Sequence, residues 1–140
     1  MARFYAQIFV VVFAILGIGG LFLGDASHVV NGQAQGNLGG LTLHLTYVRD
    51  VLDVVIAVVF GYVGFLASRH TGKLVVIAAG SVLLLLAVVG LVIGDNATAS
   101  RGVAGLHFPL ALNVVDLVSG GLGVLAGLGT IEDDPKPFLR

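Results

Sequence analysis

The stretch LHLTYVRDVLDVV, from Leu43 to Val55, places one arginine and two aspartates at the start of a long apolar run. Moving the chain along itself so that Leu43 meets Leu106 lays this stretch over LHFPLALNVVDLV, which ends at Val118. Both stretches read His, five residues, Asp or Asn, two residues, Asp. The repeat predicts that the chain contains two copies of one structural unit.

A second pair of segments repeats in the same order. GLFLGD, from Gly20 to Asp25, matches GLVIGD, from Gly90 to Asp95. Each copy therefore has two apolar segments, and we interpret the chain as two tandem helical hairpins. Because both copies run in the same direction, this is the parallel type of internal repeat, with a pseudo-two-fold axis along the membrane normal.

Composition indicates a membrane protein. Of the 140 residues, 57% are hydrophobic and 11% are charged, and the mean hydropathy is +1.05. A soluble domain of this length would keep roughly 30% of its chain surface in contact with water, which is too much for a chain this apolar. Cysteine is absent, so thiolate metal sites and disulfides are excluded. The net charge of −1, without a long basic run, argues against nucleic acid as a partner.

Four apolar segments have the length of about 20 residues that a helix needs to cross a hydrocarbon core. The predicted helices cover residues 4–23, 47–67, 74–93 and 110–128, and residues 130–140 form a tail. The sequence thus predicts an all-α, four-helix transmembrane bundle that forms one domain over residues 1–140.

Lysine and arginine in the short connectors predict the orientation, since they are enriched on the cytoplasmic side. One side of the predicted bundle carries five of them and the other side carries two. The first set is Arg3, Arg69, Lys73, Lys136 and Arg140, and the second is Arg49 and Arg101. We expect both termini to be cytoplasmic, in a bacterial plasma membrane.

A polar cluster is predicted within the membrane. Its members are Arg49, Asp50, Asp53, Asn113 and Asp116. A charge at the centre of a membrane costs about 2.5 to 3.5 kcal/mol, so these side chains should face the bundle interior. In the structural interpretation Arg49 neutralises Asp53 within its helix and reaches Asp116 across the pseudo-axis. In the alternative, the cluster binds or conducts protons, cations or a small ligand.

The two repeated histidines raise a third possibility. His44 and His107 could bind haem or a metal ion from symmetry-related positions. Each lies about 9 Å of helical rise from its aspartate partner, too far for one coordination shell. We therefore predict no metal and no cofactor, and expect lipid contacts instead.

Small residues at four-residue spacing predict close helix packing. They are Gly20, Gly24, Gly90, Gly94, Ser119, Gly123 and Gly127. These positions exceed what one small bundle needs internally, which predicts contacts with other membrane protein subunits or with copies of the same chain. No catalytic residues, Ser-His-Asp order or cofactor fingerprint is present. The predicted function is a structural or accessory subunit, not an enzyme.

Three features resemble a known family: HLTYVRDVLDVVIAVVFGYVGFLAS from His44, ALNVVDLVSGGLGVLAG from Ala111, and Arg3 before a Gly-rich helix. They are similar to bacterial four-helix membrane proteins classed as domain-of-unknown-function family 4383. In that family the second and fourth helices tend to carry His-Asn or Asp-Asn, followed by His three residues after the Asn. Asn113 fits this pattern, Asp50 takes the other Asn position, and Asp53 and Asp116 take the histidine positions. The resemblance implies the four-helix fold and no established activity.

Overall fold

The computed structural model describes residues 1–23, 29–30, 33–34, 37–38, 41–42, 46–93 and 106–131. The described residues form four helices: α1 (Ala2–Leu23), α2 (Tyr47–Phe65), α3 (Arg69–Ile93) and α4 (Leu110–Leu128). Between α1 and α2 lie four short strands: β1 (Val29–Val30), β2 (Gln33–Ala34), β3 (Asn37–Leu38) and β4 (Leu41–Thr42). Each of the four long apolar segments of the sequence therefore forms one helix.

The strands pair as two small antiparallel hairpins, β1 with β2 and β3 with β4. The prediction of an all-α chain did not include them. Asn31-Gly32 and Gly39-Gly40 connect the paired strands in the sequence. Such dipeptides are typical of two-residue hairpin turns, because their residues readily adopt positive φ. The two dipeptides were therefore the available sequence signal for these hairpins.

Helix α3 begins at Arg69, five residues before the predicted start at Leu74. The side-chain oxygen of Ser68 accepts a hydrogen bond of 3.1 Å from the backbone N–H of Thr71. Serine at this position caps a helix by satisfying one of its first N–H groups. Residues 69–73, which the prediction left between two helices, therefore form the beginning of α3.

The helices pack as two pairs, α1 along α2 and α3 along α4, with lighter contact between the pairs. The second pair is close at Gly80 and Gly120, where a Cβ on either glycine would lie less than 3 Å from the backbone of the other helix. Within the first pair, Phe60 of α2 makes edge contacts with Tyr5 and Phe13 of α1 at centroid distances of 5.4 and 5.8 Å. Val76 and Leu83 of α3 belong to the same buried cluster. The core thus lies where the four helices meet.

The outer surface of the bundle is apolar. Four side chains, one on each helix, are at least 66% exposed: Phe22, Val58, Val92 and Leu125. Helices α1 (to Phe22), α3 and α4 are long and apolar enough to cross a membrane. Helix α2 has 19 residues and differs from these three helices in the charged side chains of its first two turns. These are Arg49, Asp50 and Asp53, and all three are buried. This distribution is the reverse of that in soluble proteins, where charged residues are exposed.

Candidate functional site

The candidate site is built by the N-terminal turns of α2 and α4. The Thr46 side chain caps α2 by accepting a 3.3 Å hydrogen bond from the backbone N–H of Arg49. Pro109 occupies the corresponding cap of α4 and offers no side-chain hydrogen bond. Since both helices begin at the same end of the bundle, their first two turns bring the predicted polar residues together.

Arg49 is the centre of the cluster. Its Nη1 and Nη2 donate to the two carboxylate oxygens of Asp116 at 2.8 and 2.7 Å. Its Nε lies 3.0 Å from Oδ1 and 3.2 Å from Oδ2 of Asp53. All three side chains are at most 2% exposed. Paired hydrogen bonds between a guanidinium and a carboxylate are among the strongest in proteins. Arg49 therefore connects α2 of one helix pair to α4 of the other.

Two further members of the cluster lie on glycines of the neighbouring helix. The carboxylate of Asp50 lies against Gly20 of α1, and the side-chain amide of Asn113 lies against Gly90 of α3. A Cβ on either glycine would overlap the polar group that it faces. The Asn113 amide nitrogen also donates a 2.9 Å hydrogen bond to the carbonyl of Phe108. In each helix pair, one polar side chain therefore packs against one glycine of the neighbouring helix.

Acceptors exceed donors in this cluster. Asp50, Asp53 and Asp116 are buried beside one guanidinium, which leaves a charge of −2 when all three aspartates are ionised. Asp50 lies in the first turn of α2, where the helix dipole favours a negative charge. The Asn113 Oδ1 atom is buried and accepts no hydrogen bond within the described part of the chain. The cluster therefore has chemical capacity to accept a proton or a cation.

A second set of hydrogen bonds ties α1 to α4 farther along the bundle. The Tyr5 hydroxyl donates to the backbone carbonyl of Ser119 at 2.7 Å, and the N–H of Ala2 donates to Oγ1 of Thr130 at 2.7 Å. Gly123 lies beside the Tyr5 hydroxyl. Sequence reasoning missed Tyr5 and Thr130. A tyrosine in an apolar helix was an available signal, because a buried hydroxyl usually finds an acceptor.

The remaining predicted residues divide into placed and undescribed ones. Gly127 lies against Ile77, and the Ser119 hydroxyl donates to the Val115 carbonyl at 2.6 Å. His107 is half-buried just before α4. Within the described ranges, no three or more His, Asp or Glu residues are grouped to hold a metal ion. Three predicted residues lie outside the described ranges: Gly24, His44 and Gly94.

Comparison with known proteins gives no match to a family model, a curated protein or a solved structure. The resemblance to the four-helix family of unknown function accordingly stays a prediction. Function has to be inferred from the side-chain chemistry of the cluster and from the surface of the bundle.

Proposed function

We propose that this chain is a small integral membrane protein that acts as a structural or accessory subunit. The observation that carries the proposal is the engagement of Arg49, whose Nε, Nη1 and Nη2 all face carboxylate oxygens of Asp53 and Asp116. A buried guanidinium held in this way joins helices and offers little to a ligand. The cluster then serves as a clamp between the two helix pairs, with no enzymatic activity and no cofactor.

The membrane location is supported by the surface of the bundle. Large apolar side chains are exposed along all four helices, and the charges of α2 are turned inward. Arg3, Arg69 and Lys73 lie at the bundle end opposite the Arg49 cluster. Because cationic residues are enriched on the cytoplasmic side, this end faces the cytoplasm, together with both termini.

The proposal includes a duplicated hairpin. Helices α2 and α4 each have 19 residues, and the displacement from Tyr47 to Leu110 also relates their last residues. The contact of Gly20 with Asp50 in the first pair corresponds to that of Gly90 with Asn113 in the second. The copies differ at Arg49, whose counterpart is the buried Leu112. Arg49 of the first copy therefore binds one aspartate of each copy, Asp53 and Asp116.

Partner contacts are supported by glycines on the outer surface. A Cβ placed on Gly19 of α1 or Gly121 of α4 would have no atom of another described helix within 4 Å. A groove of about 510 Å³ runs beside Gly19 along α1, between side chains that include Val10 and Ile18. Small residues on a lipid-facing surface allow another helix to approach closely. The partner is another membrane protein subunit or a second copy of this chain.

Mass and partner content of the native protein test this role. The chain, purified in mild detergent, should have a native mass above that of the monomer or should bring a defined membrane protein with it. Gly19→Leu or Gly121→Leu should remove that association. Val92→Leu, which enlarges an exposed side chain elsewhere, serves as the control. A monomer with no co-purifying protein would refute the accessory role.

A second function, binding or conduction of protons or cations, is favoured by the excess of carboxyl groups beside Arg49. Asp50 is a further buried carboxyl group in the first turn of α2, and the buried Asn113 Oδ1 accepts no hydrogen bond within the described part of the chain. Purified protein in liposomes containing a pH-sensitive dye would measure proton flux directly. Flux that Asp50→Asn abolishes would support this function, whereas a clamp alone gives none.

A further inference from the structure

A cavity of about 430 Å³ opens at the end of the bundle that carries the N-termini of α1 and α3. Arg3 and Arg69 line it together with the apolar Val63 and the backbone of Gly72. Because these residues come from α1, α2 and α3, the cavity lies at the junction of the two helix pairs. It combines cationic groups with an apolar wall.

The lining of the cavity is positively charged. Arg3 donates from Nη2 to the carbonyl of Ala67 at 3.0 Å, which holds its guanidinium at this end of the bundle. A guanidinium has five N–H donors, so this bond leaves others for a ligand. The starts of α1 and α3 add the positive ends of two helix dipoles. None of the described residues that line the cavity is acidic.

We infer that this cavity binds the phosphate of an anionic phospholipid. Arg3 and Arg69 hold the phosphate oxygens, since guanidinium groups match phosphate geometry, and the wall at Val63 and Gly72 receives the apolar part of the lipid. The inference rests on the proposed membrane location, which puts this end at the cytoplasmic headgroups, where basic pockets between helices bind anionic lipids. Free phosphate has the same binding chemistry.

The chain itself offers a competing occupant. Glu132, Asp133 and Asp134 follow Ile131, which lines the cavity. Their carboxylates could take the place of phosphate at the same arginines. The experiment therefore has to separate lipid, free phosphate and this acidic segment.

The test is a binding titration of the full chain, purified and delipidated in mild detergent, followed by native mass spectrometry. The probes are dioleoylphosphatidylglycerol, dioleoylphosphatidylcholine and inorganic phosphate. Arg3→Gln and Arg69→Gln should each weaken phosphatidylglycerol binding about fivefold, equivalent to about 1 kcal/mol per cation. Lys73→Gln removes the same charge one turn from Arg69, outside the cavity, and should leave binding unchanged.

Two results would overturn the inference. They are equal binding of phosphatidylcholine and an equal loss in Lys73→Gln. Tighter lipid binding after the three acidic residues are changed to amides would support the site, because it shows that the carboxylates and the phosphate compete for the same arginines. Inorganic phosphate that binds as tightly as the lipid, with the same dependence on the arginines, assigns the site to free phosphate. Arg69 is exposed, so its variant tests the site even if Arg3→Gln fails to fold.

Extraction of membranes with alkaline carbonate separates this inference from the proposed function. A protein that stays in the membrane and binds no phosphatidylglycerol refutes the lipid site alone. A protein that is extracted refutes the membrane location, and the lipid site with it.

Discussion

The guanidinium of Arg49 on α2 holds the carboxylate of Asp116 on α4 with two hydrogen bonds of 2.8 and 2.7 Å. A third contact joins the same guanidinium to Asp53 on its own helix. All three groups are buried, so water cannot replace a partner that is lost. At this end of the bundle, the junction of the two helix pairs therefore depends on Arg49.

Replacing Arg49 with methionine should destabilise the protein strongly. The change leaves the buried carboxylates of Asp53 and Asp116 without their cation, and breaking such a set typically costs about 3 to 5 kcal/mol. Thermal unfolding in detergent, followed by circular dichroism, measures the loss. Arg49→Lys keeps the charge but cannot form the paired bonds, so it should fall between the parent and Arg49→Met.

Removing the carboxylates together with the arginine should restore part of this loss. In the triple variant Arg49→Met, Asp53→Asn, Asp116→Asn, neutral amides replace the uncompensated charges. A cycle of the parent, Arg49→Met, the double variant Asp53→Asn, Asp116→Asn and the triple variant separates coupling from truncation. A parent-like melting temperature in Arg49→Met would show that Arg49 is not the clamp.

Gly20→Ala should destabilise α1 against α2, while Gly19→Ala should not. A methyl group at Gly20 would overlap the carboxylate of Asp50, and overpacking of this kind costs about 1 to 3 kcal/mol. At Gly19 the space is open, so alanine gains up to about 1 kcal/mol from its helix propensity. Chemical denaturation of the two variants in parallel checks the sign. Equal effects would mean that Asp50 does not lie on Gly20.

A matched pair on α4 tests the packing of α3 against α4. A Cβ at Gly120 would lie 2.7 Å from the carbonyl oxygen of Gly80, and this backbone cannot move aside cheaply. A Cβ at Gly121 would have no atom of another described helix within 4 Å. Gly120→Ala should lower the melting temperature clearly and Gly121→Ala should leave it unchanged or raise it. If Gly121→Ala lowers the melting temperature more than Gly120→Ala does, Gly121 rather than Gly120 faces α3.

Tyr5→Phe should cost about 1 kcal/mol, because it removes the hydrogen bond to the Ser119 carbonyl and keeps the aromatic packing. Tyr62→Phe is the control, since Tyr62 lies half-exposed on the outer surface of α2. Equilibrium unfolding of both variants measures the difference. If the two changes cost the same, the Tyr5 hydroxyl does not tie α1 to α4.

Reporter fusions test the orientation. A fusion at Asn37 or Asn96 should report the outer side of the membrane, and a fusion after Arg140 should report the cytoplasm. The reason is the enrichment of cationic residues on the cytoplasmic side of membrane proteins. A cytoplasmic signal at Asn96 would invert the proposed placement of the Arg49 cluster.

The amino-acid sequence alone was enough to predict four helices and the members of the polar cluster. Helix length follows from local hydrophobicity, and a charge in an apolar helix has to face a partner, so Arg49 and Asp53 at i,i+4 already imply a contact. The repeat points to Asp116 as a second partner. The predicted start of α3 at Leu74 is five residues too late, because a polar stretch led by Ser68 is equally compatible with a loop and with a capped first turn.

Only the tertiary structure decided which small and polar residues face a neighbour. Gly19 and Gly20, or Gly120 and Gly121, are indistinguishable in the sequence, yet one of each pair is filled by another helix and the other is open. The bond from Tyr5 to Ser119 spans 114 positions of the chain. The physical reason is that the rotation of a helix about its axis is set by the packing of all four helices together, and no local pattern contains that information.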